Sequence, residues 1–381
     1  MLRVAHIVPV WLPQTQTWID TLVGCIPQER VECHVICERT ENLDQFPVRH
    51  LHDLSHRPLS ERLVAAVRRL SGEKLPSLDA ALSGLGPQVV HSHFGDAAWT
   101  HLGAVRRARA RHIASFYGYD VAMLPKQAQW PERLSQLFQA VDRVVCEGPY
   151  MGESLVKLGC PREKLRVHHL GVRLKKLPFV PRRWQPGEPL RVLIAATFTE
   201  KKGIPYGIEA LALLRREIDL SVTIIGDARS TPEDRKEKEH ILATLRSTGL
   251  DGAVRMLGYQ SHEAMIREAY LHHLFLAPSV VAASGDTEGG APVSIIEMAA
   301  SGMVVVSSRH CDIPEVIIDA ETGWLADERD VGGIAVCLRR AVQSREKWDS
   351  MLEKGRRRVE DGFDAERQGS RLAAIYEEFL A

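Results

Sequence analysis

The sequence predicts an α/β protein of two doubly wound domains in tandem. Short Val/Ile-rich runs alternate with longer amphipathic stretches along the whole chain. That rhythm breaks once, at a proline-dense segment, and then restarts. The runs also lack the strict in-out alternation of a half-exposed sheet, as expected for parallel strands covered on both faces. With 381 residues, 45% of them hydrophobic, the chain can bury two cores.

In the first half the expected strands are Val4–Val10, Val31–Cys37, Val89–His93, Ile113–Phe116, Arg143–Cys146 and Leu165–His169. Amphipathic stretches separate them; in Glu61–Leu70, residues Leu63, Val64, Val67 and Leu70 share one face. Residues 173–189 carry Pro178, Pro181, Pro186 and Pro189, a density that marks an interdomain linker. Strands at Leu190–Ala196, Leu220–Ile225, Val254–Leu257, Leu274–Ala277 and Val304–Ser307 follow. Helices near 205–216, 232–247, 262–270 and 292–301 alternate with them. The expected domains span 1–178 and 188–363, with a helix near 364–381 packing back onto the first. Ligands of such sheets bind at the carboxyl ends of the strands, so a central cleft faced by both domains is the expected site.

Lys+Arg and Asp+Glu both number 49, yet residues 1–180 carry 23 basic against 17 acidic side chains. Local basic clusters are Arg68–Arg69, Arg106, Arg107, Arg109 and Arg111, and Lys175–Lys176. Such a half suits an anionic partner, with peripheral contact to a membrane surface as one form. Zero net charge and the lack of any recognised binding module argue against nucleic acid. The seven cysteines form no CxxC pair and suit reduced core thiols of a cytoplasmic protein. The start resembles a buried strand more than a signal peptide, and no apolar run approaches the ~20 residues of a membrane span.

Two segments carry chemistry. In AATFTEKKG (195–203) a strand runs into a turn bearing Lys201, Lys202 and Gly203, and a helix follows. A lysine there can neutralise a diphosphate leaving group, and glycine allows close backbone approach. In GDTEGGAPVSIIEMAASG (285–302), Glu288 sits in a glycine-rich loop, Pro292 opens a helix and Glu297 lies on it. A carboxylate can accept two hydrogen bonds from a ribose diol, and loop N–H groups can receive phosphate or sugar oxygens. The sixteen histidines show no HExxH or zinc-finger spacing, and no DxD triplet occurs, so no metal is expected. His310 follows a strand and is a further donor-contact candidate. Trp11 and Trp18 flank the PQTQT loop and are candidates for stacking on an acceptor.

These segments, with PVWLPQTQTWI near the start, VVHSHFG (89–95), FYGYD (116–120), and HCDIPEVI followed by TGWL (310–325), give the chain a resemblance. It resembles the retaining GT-B glycosyltransferases of family 4, in particular those of bacterial exopolysaccharide, colanic-acid-type and lipopolysaccharide synthesis. The resemblance spans nearly the whole chain. It implies a nucleotide-diphosphate sugar donor held mainly by the second domain, and a saccharide or lipid-linked saccharide acceptor. Lys202, Glu288 and Tyr117 fall on catalytic positions. Thr197, Lys201, Gly203, Gly289, Gly290, Ala291, Pro292, Val293, Glu297 and His310 fall on donor positions, with Glu297 on the ribose. Gln14, Thr15, Gln16, Trp18 and Asp120 fall on the acceptor side. The enzyme so implied is a metal-independent hexosyltransferase without a cofactor, working in the cytoplasm or at the inner face of the membrane.

The chain departs from the family pattern in three places. Thr197 replaces an arginine that normally helps grip the diphosphate; Lys201, Arg229 and Arg309 are candidate substitutes. Eight residues instead of seven separate Glu288 from Glu297. Tyr117 replaces a histidine, and a tyrosine can hydrogen-bond a sugar hydroxyl but cannot act as a base near neutrality. A degenerate sugar-nucleotide-binding protein, or a sugar-nucleotide epimerase or phosphorylase, therefore stands beside the transferase. The motifs specify neither donor base nor subunit number.

Overall fold

The computed structural model describes residues 1–12, 18–43, 45–55 and 75–380. The expected helix at 61–70 and the candidates Gln14, Thr15 and Gln16 lie outside the described residues. The chain divides into two compact units, Met1–Arg173 with Asp364–Ala381, and Leu174–Phe363.

The sheet of the first unit has the order β3-β2-β1-β4-β5-β6-β7, all parallel. Its strands are β1 Leu2–Trp11, β2 Val31–Thr40, β3 Leu51–Asp53, β4 Val89–His93, β5 Arg111–Phe116, β6 Arg143–Cys146 and β7 Leu165–Val167. The described helices are α1 Trp18–Gly24, α2 Pro76–Leu85, α3 Gly95–Ala108, α4 Tyr119–Ala122, α5 Trp130–Ala140 and α6 Pro149–Lys157, with α14 Ala365–Glu377 from the chain's end. Apolar packing covers one face: Ala5, Ile7, Ile36 and Val90 meet Leu78 and Leu82 of α2 and Ala104 and Val105 of α3. The opposite face is polar at its centre and receives Tyr376 of α14. Helix α14 is capped by Asp364, whose carboxylate accepts from the N–H groups of Glu366 and Arg367. Arg30 clasps Glu377, and Arg143 and Arg166 both bind Glu378, so charge as well as packing seats it.

The second sheet has the order β10-β9-β8-β11-β12-β13, again parallel. Its strands are β8 Leu190–Ala195, β9 Leu220–Ile225, β10 Val254–Met256, β11 Leu274–Ala277, β12 Val304–Ser308 and β13 Trp324–Ala326. Helices α7 Ile204–Leu214, α8 Pro232–Thr248, α9 His262–Ala269, α10 Val293–Ser301, α11 Ile313–Val316, α12 Val331–Gln343 and α13 Trp348–Gly362 alternate with or follow them. In both sheets the order reverses beside the first strand, between β1 and β4 and between β8 and β11. Open parallel sheets bind ligands at such a switch point.

The proline-dense segment is built into the second unit. Val180 and Arg182 donate backbone N–H groups to the carbonyls of Ser301 and Gly302. The Arg182 guanidinium is buried and donates to the carbonyls of Val180, His272, Ala269 and Ser301, while Trp184 packs into the core. Strands β3 and β13 were not anticipated. Each is three residues long at a sheet edge, as are the anticipated β7 and β10; what sets them apart is composition, since Leu51–Asp53 holds a single apolar residue and Trp324–Ala326 no β-branched one. Among the described residues no helix is long and apolar enough to cross a membrane.

Candidate functional site

Strands β8 and β11 are neighbours at the switch point, so the segments leaving their carboxyl ends meet there. After β8 the chain makes a single 3₁₀ turn, Glu200–Lys202, closed by Gly203 at φ +61°. A Cβ at Gly203 would lie 2.0 Å from the Pro278 carbonyl oxygen, so only glycine lets this turn press on the segment leaving β11. The Val280 N–H then donates to the Lys201 carbonyl at 2.8 Å, joining the two segments.

This junction places both lysines against the glycine-rich loop. Lys202 Nζ lies 2.8 Å from Glu288 Oε2, and the Ser279 hydroxyl donates to Oε1 at 2.7 Å. Burial pushes the Glu288 carboxyl up, but Lys202 and Lys201 outweigh it and hold the group below its ordinary value. Lys201 donates to the Thr287 carbonyl at 2.9 Å and pairs with Asp286 at 3.2 Å. Behind the loop stands His310, almost fully buried. Its Nε2 accepts the Glu288 N–H at 3.1 Å, which fixes the proton on Nδ1, and Nδ1 donates to Glu328 at 2.7 Å. The loop, with Gly289 at φ +80°, runs through Gly290 and Ala291 to Pro292, which caps α10 with Val293 as its first residue. The free N–H groups of that first turn form an anion-compatible end. Glu297 lies just over one turn into α10, 7% exposed, and its Oε1 is 2.5 Å from His262 Nε2.

In the first unit Tyr117 follows β5 and Phe94 follows β4. Phe94 adopts φ +74° and its ring centroid sits 5.0 Å from that of Tyr117, and Trp18 packs against Tyr117 at 4.4 Å with the rings tilted by 46°. A non-glycine residue in this backbone region stores strain of the kind found at binding loops. Asp120 is 1% exposed and accepts the N–H groups of Tyr117 and Gly95 at 2.8 and 2.9 Å, bracing the two loops together. Burial pushes its carboxyl up to about 6.

Beneath Tyr117 runs a buried chain of polar rings. Tyr117 OH lies 2.5 Å from His93 Nδ1, and His93 Nε2 lies 3.1 Å from His6 Nδ1. Tyr376 OH lies 3.5 Å from His6 Nε2 and 2.7 Å from His91 Nδ1, and His91 Nε2 meets the Ser115 hydroxyl at 2.6 Å. Burial lowers His6 to about 3 and holds His91 and His93 well below the ordinary imidazole value, so the rings are neutral. His6, His91 and His93 also form the single group of metal-capable donors among the described residues, with ligand atoms within 4.8 Å of one another. Their nitrogens are engaged by one another and by hydroxyls, which makes the cluster a self-satisfied hydrogen-bond network.

The Glycosyltransferase Family 4 profile matches residues 15–176, and that of Glycosyl transferases group 1 matches residues 181–358. The amylovoran biosynthesis glycosyltransferase AmsK of Erwinia amylovora is 30% identical over 291 residues, 76% of this chain and 69% of that one. The putative colanic acid biosynthesis glycosyltransferase WcaL of Escherichia coli K12 is 31% identical over 295 residues, 74% and 69%. The chain belongs to the family 4 glycosyltransferases. Solved structures agree on a GT-B fold for this glycosyltransferase. Anabaena HepE in complex with UDP superposes with a TM-score of 0.79 at 13% identity, over 99% of this chain and 100% of that one. Sucrose-phosphate synthase from Thermosynechococcus elongatus superposes at 0.77 with 18% identity, over 100% and 99%.

Within the second unit of the glycosyltransferase, Lys201, Lys202, Gly203, Glu288 and His310 form one connected cluster, and Gly289–Val293 leads from it to Glu297. Thr197 sits at the exit of β8 beside Tyr259, whose hydroxyl it meets. In the first unit Tyr117, Trp18 and Asp120 converge. His262 is the functional candidate that the sequence did not flag. It lies 35 residues from Glu297, and no periodicity links two such positions.

Proposed function

We propose that this glycosyltransferase moves a hexose from a nucleotide-diphosphate sugar to a hydroxyl of a saccharide or lipid-linked saccharide, with retention at the anomeric carbon, in cell-surface polysaccharide synthesis. The observation that carries this reading is the Lys202–Glu288 pair beside Lys201, at the switch point and at the head of the loop leading to Glu297. The site already gathers positive charge on one carboxylate. A diphosphate arriving there takes over that charge, and the barrier falls as the lysine neutralises the departing phosphate oxygens. Glu297 accepts from the ribose diol, and loop N–H groups of 289–293 receive sugar or phosphate oxygens. Tyr117, kept as a neutral hydroxyl by burial, is the first unit's candidate for bonding a sugar hydroxyl, and Trp18 beside its ring is the candidate for the acceptor.

Three cations were candidates to replace the family's arginine at Thr197. Arg309 is tied to Asp319 and Asp327, and Lys201 to Thr287 and Asp286. Arg229 binds Asp234 but also acts on Tyr259, the neighbour of Thr197, and on Asp286. We assign the second diphosphate cation to Arg229. Side-chain cations thus perform the charge neutralisation without a metal. Relatives named for amylovoran and colanic acid biosynthesis support an exopolysaccharide role. Peripheral membrane contact through the basic first unit fits a lipid-linked acceptor, although Arg107 and Arg111 are paired with Asp79 and Asp142.

The test is a panel of UDP-, GDP- and ADP-sugars assayed for nucleoside diphosphate release, with and without lipid-linked saccharide acceptors. Release that depends on acceptor supports the transferase. Nucleotide binding without turnover on any acceptor supports the degenerate binding protein that Thr197 and Tyr117 leave open.

A further inference from the structure

Glu297 and His262 come from different helices of the second unit, α10 and α9, and meet at 2.5 Å. Their environments differ. The Glu297 side chain is 9% exposed and that of His262 is 48% exposed. Among the described residues no second hydrogen-bond partner of the Glu297 carboxylate is found. The second carboxylate oxygen is not among the buried unpaired atoms of the described residues, so it reaches solvent and is open to a ligand. His262 opens α9, where the Ser261 hydroxyl accepts the Ala264 N–H at 3.2 Å and fixes the start of the helix. The imidazole is therefore placed by a capped helix end and not by the ligand loop.

We propose that His262 is a positioning residue for ribose recognition, holding Glu297 Oε1 through Nε2 so that the other carboxylate oxygen is presented to the ribose diol of the donor. The inference rests on the ribose reading of Glu297 given above and deepens it. Without the imidazole, the carboxylate can rotate about its terminal bond, a torsion with broad, soft minima. It would then share its oxygens among several orientations. The contact with Glu297 also raises the imidazole above its ordinary value, against burial and the nearby charge of Lys176. The protonated ring carries N–H on both nitrogens and donates through Nε2, and the neutral Nε2–H tautomer makes the same bond.

The experiment uses the full chain and calorimetric titration. UDP, GDP and ADP are compared, and the tightest is titrated beside its 2′-deoxy counterpart into wild type, His262→Leu and His262→Gln. Wild type should prefer the ribonucleotide by roughly 10- to 100-fold, the value of a hydrogen bond to a charged group. His262→Leu should lower that preference to within about threefold of unity; its melting temperature should also fall, because Glu297 loses its one side-chain partner among the described residues, so the ribo-to-deoxy ratio and not the overall affinity is the readout. His262→Gln, whose amide nitrogen can donate from nearly the same place, should restore most of it. An unchanged preference in His262→Leu overturns the proposal. So does an equal loss of affinity for both nucleotides that glutamine fails to rescue, since that marks a structural role. If wild type binds a nucleotide but does not distinguish the deoxy form, the ribose reading of Glu297 falls first. If it binds none of the three, the donor reading falls and takes this inference with it.

Discussion

Replacing Lys202 with methionine separates the two tasks that the structure gives this residue. The ammonium lies 2.8 Å from Glu288, whose side chain is 6% exposed, so its loss leaves a buried carboxylate with the Ser279 hydroxyl as its remaining direct partner. Breaking a buried pair in this way typically costs 3–5 kcal/mol. Two features reduce that figure. Lys202 retains 22% exposure, which admits solvent screening, and Lys201 continues to act on Glu288. A loss of about 2–3 kcal/mol follows, or roughly 5–10 °C in melting temperature for a unit of this size. Turnover should fall by roughly 10²–10³ from the missing neutralisation of the leaving group. The double variant Lys202→Met/Glu288→Gln removes both charges. Thermal denaturation should show most of the stability regained, whereas nucleoside diphosphate release should stay about 100-fold below that of Glu288→Gln alone. If the double variant matches Glu288→Gln in turnover, Lys202 serves only to neutralise Glu288, and its contact with the diphosphate is refuted.

Other perturbations follow from the same contacts. Gly203→Ala forces a Cβ into the Pro278 carbonyl at a positive φ and should cost at least about 2 kcal/mol in urea denaturation, with a weaker nucleotide affinity as the lysine turn shifts; wild-type affinity would show that the turn does not set the site. His310→Ala removes the acceptor of the Glu288 N–H and should raise the donor KM more than it lowers kcat, by roughly tenfold. Acid should destabilise the first unit. Burial lowers His6 and His112 to about 3 and His101 and His168 to about 4, so between those values and the unfolded value of 6.5 the unfolded chain binds more protons. Stability is therefore full above 6.5 and falls as pH drops, by up to about 1.4 kcal/mol per pH unit for each such ring. Asp120 runs the other way: its raised value means that the cost of the buried carboxylate, present above about 6, is relieved on acidification and offsets about one histidine. Urea titrations of intrinsic fluorescence at pH 7, 6 and 5 measure the balance, and a midpoint that holds across them contradicts the buried-histidine account.

The parts of the fold carried by local signals were legible in the sequence. Val31–Cys37 announces a strand through Val31, Val35 and Ile36, and Leu274–Ala277 through an unbroken apolar run, and each lies in an observed strand. Edge strands such as Trp324–Ala326 take their conformation from the register of a neighbour, Val306 to Ser308, and leave no periodic trace. The same divide runs through the site. Lys202 with Gly203, and Glu288 with Gly289 and Gly290, were legible as two segments because in each a charge sits beside turn-forming glycine; no local signal encodes that the two segments, 86 residues apart, meet. Placing Tyr376 against His91 requires two elements 285 residues apart in sequence. Placing His310 Nε2 against the Glu288 N–H depends on a hydrogen bond that motif spacing does not encode. Thr197 shows the converse: the missing arginine was visible in the sequence, but Lys201, Arg229 and Arg309 are each paired with an acid, and only the folded neighbourhood of Thr197 and Tyr259 singles out Arg229.

The discontinuity of the first unit has a consequence for biosynthesis. Its polar sheet face is closed by Tyr376, yet the stretch Leu174–Phe363, a whole second fold, is made before that tyrosine. At ribosomal rates of about 5–20 residues per second, the nascent first unit waits on the order of ten seconds or more with His6 and His91 lacking their phenol partner. The second unit, contiguous in sequence, can mature on the ribosome during that interval. A truncation that removes α14 would thus leave the second unit able to form while the first stalls with its histidines open to water, and such a stalled unit is a natural target for chaperones.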